Sequence, residues 1–161
     1  MVRVFIVYGG DEGEKIGRQI EVYLKGNNIG AFLASPKSPE ISPSEKFFER
    51  IDYELKNANL AIIVVTNGIH TSDPAKCEIE RIQNELHYPY IPFVKKGVEL
   101  PEQLKDRWNM VFDNDILSES NLNELELKMW RFYIIWLERQ TKESMEGDDI
   151  LPTKAYGLMV K

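Results

Sequence analysis

Hydrophobic and polar positions along the chain divide it into short apolar runs separated by amphipathic stretches. Val4-Phe5-Ile6-Val7-Tyr8 is a first apolar run, turned sharply by Gly9-Gly10. Ile16, Ile20, Tyr23 and Leu24 then recur at helical spacing, with Asp11 and Glu14 placed as a capping-box-like pair. Gly26-Asn27-Asn28 ends that helix, and Ile29 to Leu33 reads as a second strand. Pro36, Pro39 and Pro43 make Ser35 to Ser44 a loop, and Phe47, Phe48, Ile51 and Leu55 mark a second helix that stops near Asn57.

Leu60-Ala61-Ile62-Ile63-Val64-Val65 is apolar without alternation. A strand with one wet face would alternate, so both faces of this one are covered, as in a parallel sheet under helices. A polar loop follows at Thr66-Asn67-Gly68, then a helix from about Pro74 with Ile79, Ile82 and Leu86 inward. Tyr90 to Val94 is a fourth strand, with Pro92 expected where its missing amide costs no ladder bond. Leu100-Pro101 opens a short helix, Asn109 to Phe112 is a fifth strand, and a long helix runs from Ser120-Asn121 to about Lys142. This alternation predicts an α/β fold: a flavodoxin-like three-layer sandwich, its five-stranded parallel sheet in the order 2-1-3-4-5 with helices on both faces. One domain over residues 1–144 and a tail over 145–161 are expected from the 161-residue length.

Composition narrows the classes. A net charge of −6 without a basic run argues against a nucleic-acid partner. The longest late apolar stretch, Phe132 to Leu137, is far short of a membrane span. Cys77 has no second cysteine to pair with and no signal peptide precedes Val2, so a cytoplasmic location is expected. His70, His87 and Cys77 lack metal-ligand spacing, and no metal is expected.

Open parallel sheets hold ligands outside the carboxyl ends of their strands, at the switch point between strands one and three. The predicted order lines that crevice with Tyr8 to Asp11, Ser35 to Ser44, and Thr66 to Glu80. A dinucleotide fingerprint fails there, because Tyr8 stands at the first glycine position and Asp11, Glu12 and Glu14 crowd the helix start with negative charge. Receiver phosphoacceptor chemistry fails because the third strand ends Val65-Thr66-Asn67 without a carboxylate. A third reading centres on Glu80, which shares a helical face with Lys76, Cys77 and Asn84 and faces either the crevice or solvent, where it would pair with Lys76.

At several points the chain resembles Toll/interleukin-1 receptor (TIR) domains, especially prokaryotic TIR-like proteins described as nucleotide-binding. Phe5 to Glu12 looks like the family's opening strand and turn, Ile41 to Ile51 like its BB loop entering the second helix, and Ala58 to Thr66 like its central strand. Cys77-Glu78-Ile79-Glu80 resembles the segment whose last Glu is catalytic in members that cleave NAD. Pro43-Ser44 replaces the common Pro-Gly of the BB loop, and Lys76 stands where many members carry Trp.

The resemblance implies binding and cleavage of NAD at the nicotinamide–ribose bond, by hydrolysis or cyclisation, in signalling or defence. NAD would be the substrate, with no cofactor. It makes Glu80 the catalytic residue, with Glu78 as the fallback, and Tyr8, Gly9, Gly10, Asp11, Ser35, Ser44, Thr66 and Lys76 ligand-binding positions. Tyr8 and Phe47 or Phe48 are candidates to bound the base, although helix-core packing accounts for the two Phe as well. The resemblance also implies a non-catalytic alternative, a scaffold or nucleotide-signal-binding module that works by self-association through the Ser35–Ser44 loop or the final helix. A deoxyribosyltransferase-like enzyme is a third class, for which Asp11 is the one obvious additional carboxylate.

Overall fold

A computed structural model of the chain describes residues 1–35 and 47–147. The apolar runs form β1 (Arg3–Val7), β2 (Gly30–Leu33), β3 (Leu60–Val65), β4 (Tyr90–Lys95) and β5 (Met110–Phe112). All adjacent pairs are parallel, in the order β2-β1-β3-β4-β5, which is the flavodoxin-like order expected from the alternation. The helices are α1 (Gly10–Gly26), α2 (Phe47–Asn57), α3 (Asp73–Arg81) and α4 (Glu119–Gly147).

Every residue of β3 is buried, as its unbroken apolar run requires. Side chains of successive strand residues divide between two cores. Val4, Ile6, Leu60, Ile62 and Val64 pack under α1 and α4 against Ile16, Ile20, Leu24, Leu125 and Met129. Phe5, Val7, Ala61, Ile63 and Val65 pack on the opposite face against Leu55 of α2, Ile79 of α3 and Ile82 just after it. Pro92 stands opposite Ile63 and precedes Phe93, where the pairing with β5 begins.

Three local features depart from the sequence expectation. Asp11 does not cap α1: Gly9 is the N-cap, no side chain caps it, and Asp11 sits exposed in the first turn. Glu14 accepts a hydrogen bond from the Ser35 hydroxyl at 3.2 Å instead of reaching back to the cap. The helix carrying Ile79 and Ile82 widens into a π turn over Ile82–Leu86, closed by left-handed His87 (φ 58°). Leu86 is therefore only half-buried.

In the final helix, among the described side chains beyond Met129, none is fully buried. Trp130, Phe132 and Tyr133 lean on one core and Trp136 on the other, leaving Leu127, Ile134 and Ile135 exposed. The helix continues past its expected end near Lys142 to Gly147. The rest of the proposed tail lies outside the described residues. Among the described residues no helix is long and apolar enough to cross a membrane.

Candidate functional site

The carboxyl ends of β1 and β3 open beneath a cavity of about 580 Å³, within the usual size for a small-molecule site. Two helical stripes form its walls. Phe48, Ile51, Asp52 and Leu55 of α2 fall at i, i+3, i+4 and i+7, and so do Pro74, Cys77, Glu78 and Arg81 of α3. The turn Tyr8-Gly9-Gly10 makes the floor, with Ala34, Phe47, Ser72 and Asp73 completing the lining.

The floor is a close backbone contact. Gly9 and Gly10 lie against Gly68, and the Thr66 hydroxyl donates to the Gly9 carbonyl at 3.4 Å. Tyr8 donates its hydroxyl hydrogen to the Ala34 carbonyl, which ties the end of β1 to the end of β2. Burial, with the charge of Glu14 next, pushes the Tyr8 phenol up to about 12, so it stays protonated. On the α3 side, Ser72 caps the helix by accepting from the Ala75 amide at 3.2 Å.

The carboxylate at the cavity is Glu78. It is half-buried, and burial raises its pKa to about 8, with Arg81 opposing the shift. Arg81 bridges the two walls. Its Nη1 donates to Asp52 of α2 at 2.8 Å and its Nε to Glu85 at 3.3 Å, while Lys56 meets the other Asp52 oxygen at 3.0 Å.

Of the positions singled out from the sequence, Tyr8, Gly9 and Gly10 line the cavity. Ser35 and Thr66 are fully buried just behind it, bonded to Glu14 and Gly9. Glu80 and Lys76 are exposed and Asp11 borders a separate groove on α1, so these three are absent from the lining. Ser44 lies outside the described residues. Phe47 and Phe48 both reach the cavity; their rings meet edge to face at 5.7 Å, and Phe48 is 79% exposed, so core packing does not account for it.

Sequence reading missed Asp52 and Arg81 and ranked Glu78 second. The signal lay in the inward stripe Ala75, Ile79, Ile82, which Glu78 borders three residues after Ala75 and four before Ile82. Glu80 falls on the opposite side of that stripe. His70 and His87 stand apart from Cys77: His70 Nε2 lies 2.7 Å from the Glu99 carbonyl and His87 closes the π turn.

No family model matches the chain, and no curated protein matches it. Solved structures do. The TIR domain of the Toll-related receptor TRR-2 from Hydra magnipapillata superposes with a TM-score of 0.60 at 17% identity, over 83% of this chain and 98% of that one.

Proposed function

We propose that this domain, which has the flavodoxin-like fold of a TIR domain, binds NAD in the cavity between α2 and α3 and cleaves its nicotinamide–ribose bond, with Glu78 as the working carboxylate. The observation that carries the reading is the place of Glu78. Among the described residues it is the carboxyl with the strongly raised pKa, and it lines an apolar cavity at the switch point of a parallel sheet. Tyr8, Gly9 and Gly10 supply the floor on which a ribose would rest, and Phe47 and Phe48 supply aromatic faces for a base.

The chemistry asks little of the protein. Nicotinamide leaves with the electron pair of the C–N bond and departs neutral, so no general acid is required. Positive charge builds on the ribose as an oxocarbenium ion, and an ionised carboxylate beside it lowers that barrier. Water, or a nucleophile within the same dinucleotide, then adds at C1′ and releases a proton. An ionised Glu78 stabilises the charge; the neutral form does not. Binding of a cationic pyridinium nucleotide draws the carboxyl toward ionisation, which couples ligand binding to proton release.

Nicotinamide released from NAD by concentrated protein, compared between wild type and Glu78→Gln, tests this. Activity lost in the variant supports it; equal activity in both removes Glu78 from the reaction.

A scaffold role in signalling or defence is the second reading, favoured by Leu127, Ile134, Ile135, Trp108 and Val111, all large apolar side chains exposed on α4 and around β5. Light scattering at high concentration tests it, since a strictly monomeric chain contradicts self-association.

A further inference from the structure

Glu78 and Arg81 stand one helical turn apart on α3 and line the same cavity. A surface arginine on an isolated helix would extend into water. This one is held instead: Asp52 reaches it from α2 at 2.8 Å, and Glu85, four residues on, takes Nε and Nη2 at 3.3 and 3.4 Å. Asp52 in turn is engaged by Lys56 at 3.0 Å. Lys56, Asp52, Arg81 and Glu85 thus form a neutral chain of alternating charge, which holds Arg81 in the cavity lining one helical turn from Glu78.

The other titratable groups around Glu78 among the described residues are Tyr8 from the end of β1, Tyr88 before β4, Asp52 from α2, and Asp73 and Cys77 from its own helix. Both phenols are pushed further up by burial and by the Glu78 charge, so they remain neutral and give no cationic help. Burial opposes ionisation of Glu78, and the Arg81 charge favours it. Arg81 is the cation in this set.

We infer that Arg81 is a positioning residue whose charge, metered by Asp52, sets the fraction of Glu78 that is ionised and so ready for chemistry. The inference rests on the proposed role of Glu78 for its functional meaning, but its electrostatic content stands apart from turnover. The acidic partners make the control two-sided. Loss of Arg81 leaves burial of Glu78 unopposed, whereas loss of the Asp52 charge leaves Arg81 less neutralised and Glu78 more acidic. Asp52→Asn keeps an oxygen acceptor for Arg81 and removes only the charge, which separates electrostatics from geometry.

The test is carbon-13 NMR titration of the Glu78 side-chain carboxyl in folded protein, assigned by its loss in Glu78→Gln. The wild-type midpoint is expected near 8. It should rise by roughly one pH unit in Arg81→Gln, return most of the way in Arg81→Lys, and fall below wild type in Asp52→Asn. Nicotinamide release at fixed pH should follow the ionised fraction in the same order. A midpoint unmoved in both Arg81→Gln and Asp52→Asn, or moved in the same direction in both, overturns the inference. If Arg81→Gln fails to fold, Asp52→Asn and Arg81→Lys decide it alone. Opposite shifts without any NAD turnover uphold the electrostatic control and reject the reaction instead.

Discussion

Gly9 and Gly68 meet backbone to backbone beneath the cavity. A Cβ on Gly9 would come within 2.7 Å of the Gly68 carbonyl oxygen, and one on Gly68 within 2.5 Å of the Gly9 oxygen. Neither residue depends on unusual torsions for this role, since Gly9 is extended at φ −139°. Space alone demands glycine, because the turn after β1 and the turn after β3 cross where no side chain fits.

Alanine at either position must push these two loops apart. Gly68→Ala should lower stability by about 2 kcal/mol, in the range of overpacked cores. It should also weaken binding at the cavity, because Tyr8 and Gly10 move with the loop. Thermal melting and nucleotide titration of the same variant check both effects. An unchanged melting temperature would mean that the contact relaxes freely.

Ser72 holds the first turn of α3 through the Ala75 amide. Ser72→Ala should cost about 1 kcal/mol, as lost N-caps do, and Ser72→Asp should restore it. Because Glu78 lies less than two turns along the same helix, the alanine variant should lose activity out of proportion to its stability. Denaturant melts beside NAD turnover measure the two losses separately.

Glu78 carries a pH signature with a definite sign. Its folded pKa of about 8 lies above the ordinary carboxyl value of 4.5. The native state therefore holds the proton more tightly than the unfolded chain. Stability from this group is complete below pH 4.5 and is lost as pH rises to about 8. Glu78→Gln should be more stable than wild type at pH 9 by up to about 5 kcal/mol, and the gap should close at pH 4. Denaturant unfolding across that range reads it directly. A constant gap would mean that Glu78 titrates normally in the fold.

The same proton affects binding. A pyridinium nucleotide favours the ionised carboxylate, so affinity should climb by up to about tenfold per pH unit below pH 8 and level off above it. Calorimetry in buffers of different ionisation enthalpy should show a proton released on binding at pH 7. Absence of proton release would separate the ligand from Glu78.

Much of this fold was legible because burial on both faces leaves an unmistakable trace. Leu60 to Val65 had no polar residue to place, so a covered parallel strand was the only consistent reading, and the strand order followed from the alternation around it. The crevice was found for the same reason. Its chemistry was harder to assign, since choosing between Glu78 and Glu80 requires the helical phase of α3 to within half a turn. Ile79 lies between them, and Ala75, absent from the inward stripe read as Ile79, Ile82 and Leu86, extends the buried stripe along the side that Glu78 borders. Asp52 and Arg81 gave no sequence signal, because a pair 29 residues apart becomes visible only once α2 and α3 face each other. The capping role expected of Asp11 failed because Gly9, pressed against Gly68, already sets the entry of the chain into α1.

The most direct measurement is nicotinamide release from NAD by wild type, Glu78→Gln and Glu80→Gln at equal high concentration, each checked for folding. Turnover by wild type and by Glu80→Gln, with at least a hundredfold loss (roughly 3 kcal/mol) in Glu78→Gln, is the predicted result. Full activity in Glu78→Gln with loss in Glu80→Gln would contradict the account and move the chemistry to the exposed side of α3.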